Sequence, residues 1–252
     1  MLPIERRSVI LQQLMMDGKV VVSELAEKYD VTEETIRRDL EKLEADGYAK
    51  KTYGGAIRSD NNTVELPYTV RKQTNVSGKK YIAEIIGRLI NDGDSLLLDA
   101  STTALFTVKS IFSKKNIKIV TNSVGILLDL PQDQGWSVQA TGGSYHSESM
   151  SFFGYAAQEV VEKFYAEYAI LSCKGVDMEK GITDTREVFA ELKKSFFKSA
   201  KKVILAVDHT KFDRISYVRI GDFEGVDIVV TDVEPSDEWK ALFEKKGIEL
   251  YY

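Results

Sequence analysis

The sequence predicts a mixed α/β chain of two domains, and three observations predict it. Its 252 residues, 43% hydrophobic and 29% charged, are too many for one comfortable core and suit two. Up to Arg58, apolar residues recur at helical spacing in three short runs and are followed by a β-rich stretch. From Lys79 onward, strand-like and helix-like runs alternate, the pattern of a largely parallel sheet covered on both faces. The expected division is 1–58, a join over 59–72, and 73–252.

After Pro3, the residues Ile4, Val9, Ile10, Leu11 and Leu14 predict a first helix that stops at Asp17-Gly18. Ser23 is the expected N-cap of a second helix with Leu25, Ala26 and Tyr29 on one face. Thr32 caps a third, with Glu33 and Glu34 where negative charge suits the helix dipole and with Ile36, Leu40 and Leu43 along one side. At about 100° per residue, Glu34, Arg37, Arg38 and Glu41 fall on the outward side. Tyr48 to Ile57 alternates enough for a small hairpin, and its Gly54-Gly55 pair permits a close backbone approach. The arrangement is that of a winged helix-turn-helix, whose second helix displays donors to a major groove. A merely solvated face, with Glu34 and Glu41 pairing with Arg38 and Arg37, fits the same residues. On the residues alone both readings stay open.

Ser59-Asp60-Asn61-Asn62 has loop composition, and Pro67 is expected to break any helix before Arg71. Helices are then predicted over Tyr81–Ile90, Thr103–Phe112, Tyr155–Phe164, Arg186–Ser199 and Asp237–Lys246. Strands are predicted over Ser95–Leu98, Ile117–Thr121, Ser137–Ala140, Ala169–Ser172, Val203–Val207 and Ile228–Thr231.

Composition removes several functions. With 34 basic against 39 acidic residues, net charge −5, bulk charge does not pull the chain onto nucleic acid, so any DNA binding is local. The segment Tyr48–Arg58 carries Lys50, Lys51 and Arg58 with no acid and is the place for a phosphate contact. One cysteine, Cys173, with His146 and His209, gives neither a disulfide nor a metal-ligand spacing. No metal or cofactor is therefore expected. The absence of a long apolar run or an apolar leader predicts no membrane association and a cytoplasmic location.

In an open α/β sheet, ligands bind beyond the carboxyl ends of the strands. Leu98 runs into Asp99-Ala100-Ser101-Thr102-Thr103, which puts hydroxyls and backbone N–H groups at a helix start, an anion site. Other strand ends give Thr121-Asn122-Ser123, Thr141-Gly142-Gly143, Ser172-Cys173-Lys174 and Asp208-His209-Thr210-Lys211. Each cluster alone reads as a cap or a turn; several on one edge point to a ligand. Asp99 and Asp208 are expected to accept sugar hydroxyls, Lys79 and Lys211 to supply positive charge, and Ser101 to Thr103 to hold a phosphate. A phosphorylated sugar fits this inventory better than a nucleotide, because neither a Gly-rich dinucleotide fingerprint nor a Walker lysine is present. Cys173 and His209 are read as a packed thiol and a structural hydrogen-bonding group, and the aromatic run Phe152-Phe153 with Tyr155 as packing.

The residues also resemble a known family. Ser23-Glu24-Leu25-Ala26, Val31-Thr32, Thr35-Ile36-Arg37-Arg38-Asp39-Leu40, Leu43-Glu44, Gly47 and Tyr53-Gly54-Gly55-Ala56 resemble the N-terminal signature of the DeoR family of bacterial transcriptional regulators. The resemblance implies that Thr35, Arg37 and Arg38, after the cap Thr32, lie on a recognition helix, and that Lys51 and Tyr53 lie on the wing. Tyr53 stands where many members have histidine. Glu65, Pro67, Arg71, Lys79, Asp99, Ser101-Thr102-Thr103, Thr121-Asn122-Ser123, Gly142-Gly143, Asp208 and Lys211-Phe212 are similar to the same family's effector domain. That likeness implies kinship with sugar-phosphate isomerases and coenzyme A transferases, and a sugar-phosphate effector held by Arg71, Lys79, Asp99, Ser101, Thr102, Thr103, Asn122, Gly143, Lys174, Asp208 and Lys211. Ala100 replaces the usual glycine, and its methyl narrows the phosphate loop.

The functional expectation is a repressor of a sugar uptake or catabolic operon. It would bind double-stranded operator DNA as a homodimer or homotetramer and be released by a phosphorylated sugar. The rival is a sugar-phosphate isomerase or deaminase with a DNA-binding module attached. A third possibility is a C-terminal half that only oligomerises.

Overall fold

Helix α1 (Pro3–Asp17) begins with Pro3 at its first position, where the missing N–H costs nothing, and ends on Gly18 in the left-handed region at φ 75°. It opens the first of two units, Met1–Val76 and Ser77–Tyr252, in a computed structural model that describes residues 1–61, 63–131 and 135–252. Asn62 of the expected join lies outside the described residues. Buried on α1 are Arg6, Ile10, Leu11, Leu14 and Met15, whereas Ile4 and Val9 are exposed. The expected stripe is thus displaced, because the packed face runs through Arg6 and Met15 and a charged residue hides it from a hydropathy pattern.

Strand β1 (Lys19–Val21) leads directly into α2 (Val22–Tyr29). Ser23 does not cap α2; the N–H of Val22 donates instead to the carbonyl of Gly54 at 2.8 Å. Helix α3 (Glu33–Ala45) is followed by β2 (Ala49–Thr52) and β3 (Gly55–Arg58), and the antiparallel order is β1-β3-β2. A Cβ on Gly55 would sit 1.9 Å from the Val20 carbonyl oxygen. The close approach expected of the glycine pair is therefore real, and it is to this protein's own first strand. Pro67 starts rather than breaks a helix, since its carbonyl accepts from Val70 and Arg71 at the head of α4 (Tyr68–Gln73). Val70 joins the core of Ile10, Leu14, Val20, Leu25, Ile36, Leu40 and Leu43. The later half of the expected join is thus part of the first unit, and the division falls at Val76/Ser77.

The second unit runs α5 (Val76–Leu89), β4 (Ser95–Leu98), α6 (Thr102–Ser110), β5 (Lys118–Thr121), α7 (Val124–Leu128) and β6 (Ser137–Ala140). A hairpin follows, β7 (Ser144–His146) and β8 (Ser151–Phe153), then α8 (Tyr155–Val161), β9 (Ala166–Leu171), β10 (Gly175–Asp177), β11 (Gly181–Asp184) and α9 (Glu187–Lys198). The chain ends through β12 (Ala200–Ala206), β13 (Val218–Gly221), β14 (Ile228–Val230), α10 (Asp237–Lys245) and β15 (Glu249–Tyr251). Seven strands form one parallel sheet in the order β15-β14-β12-β9-β4-β5-β6. The strands that bear the candidate ligand loops fall where the sequence puts them, because Leu96 to Leu98, Ala169 to Leu171 and Val203 to Ala206 are buried apolar runs.

From β4 the order proceeds one way through β5 and β6, and the other way through β9, β12, β14 and β15. The chain therefore reverses direction across the sheet between β4 and β9. The sequence pattern did not reveal the β7–β8 hairpin or the small antiparallel sheet β10-β11-β13. Strands of three or four residues that contain glycine, such as Gly175–Asp177 and Gly181–Asp184, are too short to show a period. No described helix is long and apolar enough to cross a membrane.

Candidate nucleic-acid interface and ligand site

The Thr32 hydroxyl accepts from the N–H of Thr35 at 3.2 Å and lies 2.9 Å from the Thr35 hydroxyl, so both threonines set the start of α3. Arg37 and Arg38 are exposed one turn later, as expected. Both hold carboxylates at i−4: Arg37 Nη2 to Glu33 at 2.6 Å, and Arg38 Nε to Glu34 at 3.1 Å. The expected Glu34–Arg38 pair forms, but Glu41 does not reach Arg37. Glu41 takes Lys51 Nζ of β2 at 2.9 Å, and that ammonium holds the Glu41 carboxyl below the usual range. The backbone N–H of Lys51 donates to Glu44 at 2.8 Å, tying strand to helix. Tyr53 is fully exposed at the tip between β2 and β3.

Beneath this surface lies a contact the sequence analysis missed. Arg6 Nε meets Asp39 at 2.6 Å with both side chains almost wholly buried, and Arg7 Nη1 meets the other Asp39 oxygen at 3.5 Å. The signal was an acid at position 39 inside the apolar stripe of Ile36, Leu40 and Leu43. A buried carboxylate needs a cation, and the first helix provides it.

The polar ends of β4 and β9 meet at the reversal between them, with those of β5 and β12 on the neighbouring strands, where a crevice is expected beyond the carboxyl ends of the strands. Asp99, 2% exposed, closes that point. One of its oxygens accepts from Ser101 N at 3.0 Å, and the other from Ser172 N of the β9 end at 3.0 Å. Lys193 Nζ of α9 lies 3.4 Å from the same oxygen, 2.6 Å from Asp184 and 2.7 Å from the Ser172 carbonyl. Asp99 is therefore buried and held at both oxygens by protein groups, a setting that the sequence did not predict. The cause is Lys193, which sequence reasoning missed together with Asp184. Its signal was a lysine at the buried face of a helix otherwise lined by Phe189, Ala190 and Phe196. Burial opposes the charge on Lys193, but Asp184 and Asp99 outweigh that effect and hold its pKa above the ordinary lysine value.

Ser101 caps α6, its hydroxyl accepting from Ala104 N at 3.0 Å, so it shapes the helix start. Thr102 and Thr103 are buried in the first turn of α6. Asn122 donates to the Phe152 carbonyl at 2.9 Å, while its buried Oδ1 has no hydrogen-bond partner among the described residues. Asp208 accepts on one oxygen from Thr210 N at 3.0 Å and from the Thr210 hydroxyl. Lys174 and Lys211 are half-buried just past the ends of β9 and β12, and Lys79 is buried on α5.

Two expected ligand residues also make structural contacts that the sequence did not predict. Gly143, at φ 108°, would with a Cβ strike the Phe153 carbonyl oxygen at 2.6 Å, so its missing side chain admits the β7–β8 hairpin. Arg71 belongs to the first unit, where its Nε meets the Leu66 carbonyl at 3.0 Å and Glu65 at 3.1 Å. The bland readings of three other residues hold. Cys173 is buried and its thiol is pushed up to about 12 by that burial. His209 is 2.9 Å from Asp232. Phe153 packs on His146 and Phe189. No described group of three or more His, Cys, Asp or Glu is placed to hold a metal ion.

Residues 6–62 match the DeoR-like helix-turn-helix domain, and residues 74–233 match the DeoR C-terminal sensor domain. The chain is 36% identical over 248 residues to the Uncharacterized HTH-type transcriptional regulator YulB of Bacillus subtilis, covering 98% of this chain and 95% of that protein. It is 30% identical to a putative aga operon transcriptional repressor of Escherichia coli O157:H7, covering 98% and 92%. It is 28% identical to the glycerol-3-phosphate regulon repressor of Escherichia coli K12, covering 92% and 91%.

Proposed function

The chain belongs to the DeoR family of DNA-binding transcriptional regulators, and on that premise we propose that it represses a sugar uptake or catabolic operon and is released from operator DNA by a phosphorylated sugar. Helix α3 enters the major groove with Thr35, Arg37 and Arg38, and β2 with the Tyr53 tip lies along the adjoining backbone. Arg37, Arg38 and Lys51 then exchange exposed carboxylates for DNA phosphates or base edges. Paired half-sites call for a homodimer or homotetramer, acting in the cytoplasm.

The observation that carries the effector reading is the set of polar strand ends at the β4/β9 reversal. The start of α6, with Thr103 in its first turn, offers backbone N–H to a phosphate, and Lys174 and Lys211 supply charge. The unpartnered Asn122 Oδ1 and the Asp208 carboxylate accept from hydroxyls. That inventory fits one phosphate on a polyol, and the name of the glycerol-3-phosphate regulon repressor accords with it. The effector need favour the state that does not bind operator by only about 1 to 3 kcal/mol. The isomerase alternative is not favoured, because the relatives are regulators and Asp99, the nearest carboxylate to the reversal, is engaged at both oxygens.

The test joins two measurements on the full chain. It should retard DNA from upstream of its own gene at moderate salt, and one sugar phosphate from a panel should both raise its melting temperature and release that DNA. The unphosphorylated sugar should do neither. No retardation removes the regulator reading; retardation with no thermal response to any sugar phosphate removes the effector.

A further inference from the structure

The Lys193 ammonium hydrogen-bonds Asp184 at 2.6 Å and the Ser172 carbonyl at 2.7 Å, and its charge lies 3.4 Å from Asp99. Its side chain is only 16% exposed. Both Asp99 oxygens are engaged, one by Ser101 N and the other by Ser172 N with the Lys193 charge beside it. These contacts join four places distant in sequence: the end of β4, the end of β9, the end of β11 and the inner face of α9. We propose that Lys193 is the positioning residue of the effector site, which through Asp99 fixes the loop from Asp99 to the first turn of α6 on which the phosphate lands. The proposal rests on the effector reading above.

The physical reason is charge accounting in a buried place. Asp99 and Asp184 have side chains only 3% and 6% exposed, and two carboxylates there remain ionised only with a cation between them. Without Lys193 the two carboxylates are left buried without their cation. The loop that Asp99 anchors through the Ser101 N–H then loses its fixed support. The cap of α6 goes with it, and the helix start loses the fixed aim that an anion site requires. Lys193 thus acts on ligand affinity through Asp99 and Ser101, while the DNA-reading helix belongs to the other unit.

The experiment uses the full chain as wild type, Lys193→Met, Lys193→Arg and Asp184→Asn. Melting temperature is followed during titration with inorganic phosphate against chloride at matched ionic strength, and with a sugar-phosphate panel. Operator affinity is measured on the same preparations. Lys193→Met should weaken the ligand response by about tenfold, the scale on which lost outer-layer partners weaken a bound site. Operator affinity should stay within about twofold of wild type. Lys193→Arg should recover part of the ligand response, because it keeps the cation. An unchanged titration in Lys193→Met overturns the proposal alone. So does a joint loss of operator binding and ligand response that Lys193→Arg fails to rescue, since that marks a purely structural role. If Lys193→Met does not fold, Asp184→Asn carries the test: a weakened titration supports the proposal and an unchanged one overturns it. A wild-type protein that responds to no phosphate compound overturns the effector reading, and this proposal with it.

Discussion

In the N-terminal unit Arg37, Arg38 and Lys51 stand exposed, each holding a carboxylate, whereas in the C-terminal unit Asp99, Asp184 and Lys193 hold one another out of water. The contrast follows from what each partner must do. Exposed pairs contribute about 0 to 1 kcal/mol, so a DNA phosphate can replace Glu33, Glu34 or Glu41 at little cost. A buried trio cannot exchange partners so cheaply, because any member left alone keeps the desolvation penalty without its compensation. On the proposed function, the DNA-facing surface is therefore suited to trading ions and the floor of the effector site to staying fixed. The Arg6–Asp39 pair shows that burial, not the unit, makes the difference: it lies under the reading helix and behaves as part of the frame.

The sharpest way to break this comparison is at that pair. Asp39→Ala leaves Arg6 buried and alone, and should destabilise the first unit by about 3 to 5 kcal/mol, read from urea unfolding; a change under about 1 kcal/mol would mean the pair behaves like a surface one. Gly55→Ala comes next. Its methyl meets the Val20 carbonyl, and overpacking should cost about 1 to 3 kcal/mol in the same assay. Arg38→Ala should leave stability within about 0.5 kcal/mol yet weaken operator binding by about 1 to 3 kcal/mol if it reads a base edge. If it instead contacts phosphate, the slope of log affinity against log salt should fall by about 1; a variant with neither effect would leave Arg38 as plain solvated surface. The smallest effect belongs to Glu34→Gln. Stability should drop by about 0.2 to 0.5 kcal/mol while operator affinity rises, because the arginine no longer has a carboxylate to surrender.

Much of the frame was legible in the sequence because it is local. The Thr32 cap and the Ser101 cap each need only a hydroxyl three residues before an N–H, and the strands flanking the candidate site are unbroken apolar runs. The Pro67 helix start was misread because a proline disfavours a helix interior but suits the position before one. Ser23 was misread because the acceptor for the head of α2 comes from Gly54, far along the chain. Within the candidate site, the structure adds contacts that the sequence pattern did not reveal: Asp99 is buried and bonded to Ser101 and Ser172, Gly143 admits the β7–β8 hairpin, and Arg71 belongs to the first unit.

The sequence by itself determined the order of the two domains, the helix that displays Arg37 and Arg38, and the polar loops that follow the sheet strands. Helical period, capping and apolar runs are short-range properties written in adjacent residues. Only the tertiary structure decided which charges are buried and with whom: Arg6 with Asp39, and Lys193 between Asp99 and Asp184. Such pairings depend on elements distant in the chain arriving at one place, and burial turns them from weak contacts into fixed ones by removing the water that would otherwise compete.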